Sequence, residues 1–150
     1  AWFGEDEYMD RIKSLTDNSK HISYLGHINN VHEVLGNYDC MLHCSLLPEP
    51  FGQVIVQGMA KGLVVIAANS GGPAETITDG KDGFLVEPGN AEALAAKVSD
   101  VFANPSTVRS IGLNSRKTAE LYADPAVVER LDSILSGSHR ADSTNESRKS

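Results

Sequence analysis

The sequence predicts an α/β domain built on a doubly wound parallel sheet. Short apolar runs of strand length alternate with segments of helical periodicity along most of the 150 residues, and this alternation is typical of parallel sheets covered by helices. The run 64–68 is continuously apolar, as expected of a strand buried on both faces. Loops rich in glycine and proline follow two predicted strands, at 48–52 and 70–73. Because ligands bind beyond the carboxyl ends of such strands, both loops should lie side by side at that edge.

The first third of the chain contains two predicted strands and two predicted helices. Tyr8, Ile12 and Leu15 recur with helical spacing behind an acidic first turn. Asn30 is a suitable N-terminal cap for a short helix. We therefore predict the end of a strand at 1–4, a helix at 5–15, a strand at 22–25 and a helix at 31–35.

The remaining elements are bounded by glycine, proline and capping residues. Gly62 is placed to end a helix, Pro73 suits the first position of the next one, and Asn90 is a cap. The predicted strands are 40–44, 64–68 and 84–86, and the predicted helices are 53–61, 74–78, 91–103, 106–122 and 125–135. From Ser136 onward the chain has almost no apolar residue. This composition predicts a disordered tail at 136–150 after a single domain at 1–135.

Charge and composition exclude several classes of function. The formal net charge of −7 argues against non-specific nucleic-acid binding, because such binding relies on a basic surface. No apolar run approaches the ~20 residues that cross a bilayer, and the acidic, aromatic N-terminus does not resemble a signal peptide. We expect a cytoplasmic protein that does not bind nucleic acid and has no transmembrane segment.

The two cysteines, Cys40 and Cys44, are expected to be free thiols. If 40–44 is a strand, their side chains lie on one face about 13 Å apart, which is too far for a disulfide. Free thiols fit a reducing compartment. A zinc site formed by Cys40, His43 and Cys44 would lack a second ligand pair at suitable spacing, so no metal site is predicted.

The loop 48–53 carries the strongest chemical signal. Gly52 lets a ligand approach the backbone closely, and the amides from Phe51 to Val54 would be the unpaired N–H groups of a helix start, which suit a diphosphate. Glu49 would repel a phosphate, but its carboxylate can accept hydrogen bonds from uncharged hydroxyls such as those of a sugar. On the residues alone, a solvated Glu49 and an ordinary turn at Gly52 are the favoured interpretation.

The helix predicted after this loop has one polar stripe. Gln53, Gln57 and Lys61 share it at intervals of four residues. Periodicity alone also allows Gln57 to be an ordinary solvent-facing residue. The pair Gly71 and Gly72 is a weak phosphate-loop signal, because glycine pairs are common in turns.

A long segment carries a specific resemblance. The run from Asp39 through PEPFGQVIVQGMAKGLVVIAANSGGPAETITDGKDGFLVEPGN resembles the C-terminal, donor-binding domain of retaining GT-B glycosyltransferases of the E-x7-E group, which are family 4-like and also called glycosyl transferases group 1. Upstream, YLGHI and VHEVL match the strand, loop and helix that precede it. The similarity covers about residues 1–135, and it implies a Rossmann-like sheet, the C-terminal half of a GT-B fold.

The resemblance also implies roles for individual residues. Glu49 corresponds to the first Glu of the E-x7-E motif, which contacts the hydroxyls of the donor sugar and makes Glu49 the candidate catalytic residue. The second Glu, which bonds the ribose, is replaced here by Gln57, which can accept a hydrogen bond but without charge assistance. The backbone near Ile28 corresponds to the position that reads the base. The implied donor-binding residues are Ile28, Pro50, Phe51, Gly52, Gln53, Gln57, Gly71 and Gly72.

The implied activity belongs to a longer parent enzyme. In the family, an Arg and a Lys that neutralise the diphosphate would lie before Ala1, as would an N-terminal acceptor domain, so we expect this fragment to be inactive alone. The parent would be a hexosyltransferase of carbohydrate biosynthesis that uses a UDP-, GDP- or ADP-sugar as substrate, needs no metal or other cofactor, and could associate with a membrane surface. Two alternatives stay open: a non-catalytic or degenerate nucleotide-sugar module with a structural or regulatory role, which Gln57 favours, and a hexosamine epimerase of similar architecture.

Overall fold

The computed structural model describes residues 5–123, and these fall into two compact units. The first unit is Ala1–Val31 and the second is His32–Ser150. The elements predicted at 1–4, 125–135 and 136–150 lie outside the described residues.

The first unit contains helix α1, Glu5–Asp17. The helix predicted at 5–15 is confirmed and runs two residues further. Its end is stabilised by local side-chain bonds, because the hydroxyl of Thr16 donates to the carbonyl of Lys13 and the amide of Asn18 donates to the carbonyl of Ser14. Both bonds link side chains at the C-terminal end of the helix to carbonyl groups of its last two turns.

The strand predicted at 22–25 is wrong. These residues have no regular secondary structure. A strand exists only when a neighbour supplies partners for its backbone N–H and C=O groups, and no strand lies within the described part of this unit. The apolar character of the segment was therefore not sufficient to define it.

The second unit is built on a parallel sheet of three strands in the order β1-β2-β3. These strands are β1, Cys40–His43, β2, Val64–Ala68, and β3, Phe84–Val86. Their helices are α2, Val31–Leu35, α3, Gln53–Lys61, α4, Gly72–Thr76, α5, Ala91–Ala103, and α6, Pro105–Glu120. The alternation of strands and helices confirms the predicted α/β, Rossmann-like architecture.

The core lies on both faces of β2, which is buried throughout. Side chains of a strand alternate between faces. Val65 and Ala67 accordingly pack with Ile55 and Met59 of α3. The intervening residues, Val64 and Ile66, belong to a second cluster on the other face, together with Phe84, Val101 and Ile111. Complete burial of one such aliphatic side chain stabilises the fold by about 1.5–3 kcal/mol, so the continuous apolar run was a reliable indicator of a central strand.

Helix α6 contacts both clusters. Ala119 belongs to the cluster that contains Val65, whereas Ile111 belongs to the other one. The hydroxyl of Ser115, which is fully buried, donates to the carbonyl of Leu63 at 3.1 Å. At Gly112 an added Cβ would lie 2.5 Å from the carbonyl oxygen of Gly62, so the absence of a side chain permits the close approach.

Two helices begin earlier than predicted. Helix α4 starts at Gly72 instead of residue 74, because Gly71 (φ 62°, ψ −140°) takes the N-cap position and Pro73 lies within the first turn. Helix α6 starts at Pro105 instead of residue 106, since proline is well suited to the first position of a helix. The predicted cap at Asn90 is confirmed, with its side chain accepting from the amide of Ala93 at 2.9 Å.

The cysteines are free thiols, as predicted, and they differ in environment. Strand β1 ends at His43, so Cys44 lies just beyond it and is exposed. Cys40 is partly buried. Burial, assisted by the nearby charge of Asp39, raises the pKa of the Cys40 thiol from 9.0 to about 11. Separately, none of the described helices is long and apolar enough to cross a membrane.

Candidate functional site

The two loops rich in glycine and proline meet at the carboxyl edge of the sheet, as predicted. The amide of Gly72 donates to the carbonyl of Glu49 at 2.6 Å. Glu49 and Gly71 also form an isolated parallel bridge. The loop after β1 and the loop after β2 are therefore joined through their backbones.

This junction requires glycine at both positions of the second loop. A Cβ on Gly71 would lie 2.4 Å from the carbonyl oxygen of Glu49, and a Cβ on Gly72 would lie 2.4 Å from the carbonyl carbon and oxygen of Phe51. These contacts are with backbone atoms, which cannot rotate away as a flexible side chain can. Gly71 also has a positive φ of 62°. Gly71 and Gly72 thus hold the first loop in place through close packing.

Helix α3 begins directly after the first loop, at a residue with left-handed backbone geometry. Gly52 has φ 73° and ψ 52° and provides no side-chain cap. Its carbonyl accepts from the amide of Ile55 at 2.8 Å. The amides of Phe51, Gly52, Gln53 and Val54 have no hydrogen-bond partner among residues 5–123. They are the donors of an uncapped helix start, where the helix dipole favours an anion.

The carboxylate of Glu49 lies against the side chain of His43, the last residue of β1. Nε2 of His43 is 2.7 Å from Oε2 of Glu49, with side chains 14% and 41% exposed respectively. Oε2 of Glu49 and Nδ1 of His43 are both buried, and neither has a hydrogen-bond partner among the described residues. The 2.7 Å approach is thus a close polar contact in which the ring N–H is not well aligned with the oxygen.

An aromatic contact closes one side of the same loop. The rings of Phe51 and Tyr122 meet edge to face, with centroids 5.7 Å apart and planes at 63°. Tyr122 follows the end of α6. The contact leaves Phe51 48% exposed, so its ring forms part of the surface beside the free amides.

The structure brings most of the predicted site residues of the second unit together. Gln57 lies one helical turn into α3 and is partly buried, whereas the buried residues of this helix are Ile55, Gly58 and Met59. Ile28 belongs to the other unit, in a stretch without regular secondary structure. The residues that meet at the loop junction are Glu49, Pro50, Phe51, Gly52, Gln53, Gly71 and Gly72.

Sequence reasoning missed His43 and Tyr122 as members of this site. The sequence indicates His43 only as a possible metal ligand together with the two cysteines. No spacing rule indicates its contact with Glu49, because the loop after β1 turns back on the strand. Across the part of the chain that is described, no three His, Cys, Asp or Glu side chains form a group suited to a metal ion.

A separate cavity of about 140 Å³ lies beyond the same strand ends, on the side of α5. Its walls are mostly apolar, and its polar members are already paired, since the amide of Asn90 donates to Glu87 at 3.1 Å. Its lining residues are Cys44, Leu46, Ala68, Val86, Glu87, Gly89, Asn90, Ala91 and Leu94. The loop junction, which combines free amides with the carboxylate of Glu49, is the better candidate for a polar ligand.

Comparison with known proteins identifies the family. The family model described as glycosyl transferases group 1 matches residues 3–118. The chain belongs to the group 1 glycosyl transferases. The free amides of the α3 start and the carboxylate of Glu49 therefore lie in a domain of a glycosyltransferase family, at the sheet edge where ligands of such folds bind.

Three relatives illustrate how much of a group 1 protein the chain represents. The α-1,3/1,6-mannosyltransferase alg-2 of Neurospora crassa is 33% identical over 111 residues, which are 71% of this chain and 23% of that protein. The crystal structure of Anabaena HepE in complex with UDP-glucose is 28% identical, with a TM-score of 0.79 over 90% of this chain and 38% of that one. The isolated C-terminal domain of LpcC from Francisella tularensis shares the fold, at 21% identity, a TM-score of 0.65, and coverage of 80% of this chain and 64% of that one. The chain thus corresponds to the C-terminal domain of a GT-B glycosyltransferase and spans well under half of the longer relatives.

Proposed function

We propose that this domain binds the nucleoside-diphosphate sugar donor of a retaining hexosyltransferase. The observation that carries the proposal is the junction of the two loops, where the uncapped start of α3 lies beside the carboxylate of Glu49. One ligand class uses both features, because it joins an anionic diphosphate to an uncharged polyol. HepE, a relative at 28% identity, was crystallised with UDP-glucose, which supports this class.

The amides at the α3 start would hold the diphosphate. A helix of nine residues presents free N–H groups and the positive end of its dipole at Gln53. As the sugar departs, negative charge grows on the leaving phosphate, so donors that are fixed in advance stabilise the transition state more than the ground state. This contribution needs no metal ion, and we propose that the reaction is metal-independent.

Glu49 would fix the sugar relative to that diphosphate. Its carboxylate accepts hydrogen bonds from hydroxyls and so orients the ring at the reacting carbon. Gln57 would accept from the ribose, and the backbone at Ile28 would meet the base. The position of Gln57 one turn into α3, partly exposed, is compatible with its proposed role.

We place the acceptor domain and the cationic pair in the remainder of a longer parent protein. The chain corresponds to 38% of HepE, and the transfer reaction needs an acceptor site opposite the donor. The parent is accordingly proposed to be the enzyme, with the present 150 residues inactive by themselves.

The experiment is an NMR titration of the chain with UDP, GDP, ADP and their glucose conjugates. We expect amide shifts at Phe51, Gly52 and Gln53 with the nucleotide that the parent uses, additional shifts near Glu49 only with its sugar conjugate, and base-dependent shifts at Ile28. Shifts confined to the cavity beside α5, or none with any ligand, would contradict donor binding by this domain.

The alternative is a nucleotide-sugar module without transferase activity, which Gln57 favours because it replaces a charged ribose acceptor. Assay of the longer parent separates the two. Sugar transfer to acceptor that disappears in Glu49→Gln supports the enzyme, whereas donor binding without either transfer or donor hydrolysis supports the module.

A further inference from the structure

The imidazole of His43 occupies the end of β1, where the core meets the donor loop. It pairs in register with Ala67 of β2. Two residues earlier on the same face, Met41 packs against the cluster of Ile55 and Met59. The side chain of His43 is only 14% exposed. Its ring therefore lies at the boundary between the apolar core and the loop that carries Glu49.

Space filling alone does not account for a histidine here. Nδ1 is buried without a described hydrogen-bond partner, and a buried, unpaired polar atom has a free-energy cost. A leucine would occupy a similar volume without that cost. The imidazole does have one polar neighbour, because its Nε2 lies 2.7 Å from Oε2 of Glu49. This contact is the feature that leucine would lose.

Glu49 is held at two points. Its backbone carbonyl accepts from the amide of Gly72, and its buried Oε2 lies against His43. The side chain as a whole is 41% exposed, so Oε1 is the oxygen left for a ligand. A glutamate that is free to rotate must lose its side-chain conformational freedom on binding, whereas one that is already held does not.

We propose that His43 is a positioning residue for the donor sugar: the close polar contact of its Nε2 with Oε2 of Glu49 fixes that oxygen so that the other one faces the sugar hydroxyls. This inference rests on the proposed donor binding. The histidine makes no contact with the ligand and acts only through Glu49.

The test compares His43→Leu with His43→Gln in the full 150-residue chain. Leucine keeps the apolar volume and removes the donor, whereas glutamine replaces it with a terminal amide N–H. For each variant, calorimetry gives the Kd of a nucleoside diphosphate and of its glucose conjugate, with UDP, GDP and ADP as the three probes. The Kd of the nucleoside diphosphate divided by the Kd of its glucose conjugate isolates the contribution of the sugar.

We expect His43→Leu to reduce this ratio about 10-fold, the order of magnitude for the loss of one polar contact to a charged group, while the Kd of the nucleotide alone is unchanged. His43→Gln should restore most of the ratio. The matched control is His32→Leu, which removes an exposed histidine of α2 and should change neither value. A purely structural role for His43 would weaken both ligands together, and glutamine would not rescue the ratio; either result overturns the inference.

A double-mutant cycle completes the test. If His43 acts through Glu49, the pair His43→Leu and Glu49→Gln should lose no more of the ratio than Glu49→Gln alone. Full additivity of the two losses overturns the inference. If the wild-type chain binds none of the six ligands, the proposed function is overturned and this inference with it. If the wild-type chain binds a sugar conjugate and His43→Leu binds it equally tightly, the inference alone is overturned.

Discussion

The amide of Gly72 donates to the carbonyl of Glu49 at 2.6 Å and so joins the loop after β2 to the loop after β1. The two residues belong to different βα units. The first loop carries the carboxylate and the helix start of the candidate site, so its geometry depends on the second loop. Close backbone packing, rather than direct ligand contact, is thus a sufficient reason for glycine at 71 and 72.

Replacement of Gly71 by alanine should destabilise the fold more than a positive φ alone explains. The new Cβ would lie 2.4 Å from the carbonyl oxygen of Glu49, in a residue with φ 62°. Gly80→Ala is the matched control, since Gly80 has φ 73° and nothing within 4 Å of its Cβ position. We expect a loss of about 1–2 kcal/mol for the control from φ strain and a further ~1–3 kcal/mol for Gly71→Ala from the clash. Urea unfolding measures both, and equal losses would show that the loop junction yields without cost.

Glu49→Ala should remove sugar-dependent binding and leave the fold nearly intact. A partly exposed loop carboxylate supports little packing, so its removal should change the free energy of unfolding by no more than about 1 kcal/mol. Glu75→Ala, which removes an exposed carboxylate from the first turn of α4, is the control. Thermal melts and calorimetry with nucleotide and nucleotide-sugar give the two readouts. A large drop in melting temperature for Glu49→Ala alone would make Glu49 a structural residue.

Gln57→Glu should tighten nucleotide binding if the ribose lies at this turn of α3. A charged acceptor makes a hydrogen bond about twice as strong as a neutral one, and the expected gain in affinity is about 3–10-fold. Ser110→Glu adds the same charge on an exposed face of α6 and should have no effect. Unchanged calorimetric affinity in Gln57→Glu would remove the ribose from this position.

Asp82→Ala should be among the most destabilising single changes outside the site. Asp82 is 3% exposed, and its carboxylate accepts from the amide of Thr78 at 2.8 Å and from the hydroxyl of Thr118 at 2.7 Å. Removal leaves both donors without their partner and loosens the turn before β3 from α6. We expect a loss of about 2–4 kcal/mol, against a change within about 0.5 kcal/mol for the exposed Asp100→Ala. Chemical denaturation of the two variants under one set of conditions checks this.

The Cys40 thiol should be slow to alkylate and should destabilise the fold at high pH. Burial raises its pKa from 9.0 to about 11. Between pH 9 and pH 11 the thiol therefore ionises in the unfolded state but not in the folded state, and this ionisation stabilises the unfolded state. The stability that the neutral buried thiol contributes is fully present below pH 9 and is lost as pH rises through the folded value. Cys44→Ser isolates Cys40 for labelling with iodoacetamide, and Cys40→Ala should flatten the fall in stability over this pH range. Equal labelling rates for Cys40 and the exposed Cys44 would contradict the burial argument.

Local signals in the sequence were sufficient for most of the sheet and its helices. The strand Val64–Ala68 was predicted with its observed bounds because continuous apolar character marks a central strand. Helix α3 was also predicted with its observed bounds, since Gly52 and Gly62 mark its two ends. Each of these signals acts within a few residues and does not depend on the path of the chain.

Features that depend on distant partners could not be predicted in this way. The segment 22–25 has the composition of a strand, but hydrogen-bonded neighbours decide whether a strand forms. The contact between His43 and Glu49 depends on how the loop turns. The contact between Phe51 and Tyr122 joins the start of α3 to the end of α6. The resemblance indicated the loop that carries the candidate site but not the side chains that hold it.

The contact of α6 with both core clusters has a consequence for protein synthesis. Ile111 completes the cluster on one face of the sheet, and Ala119 completes the other. While a ribosome is still translating this helix, both clusters lack a member, and the apolar strand β2 has no complete layer on either side. The nascent chain should therefore acquire resistance to protease in one step, once residues up to about 120 have left the exit tunnel, instead of in two stages.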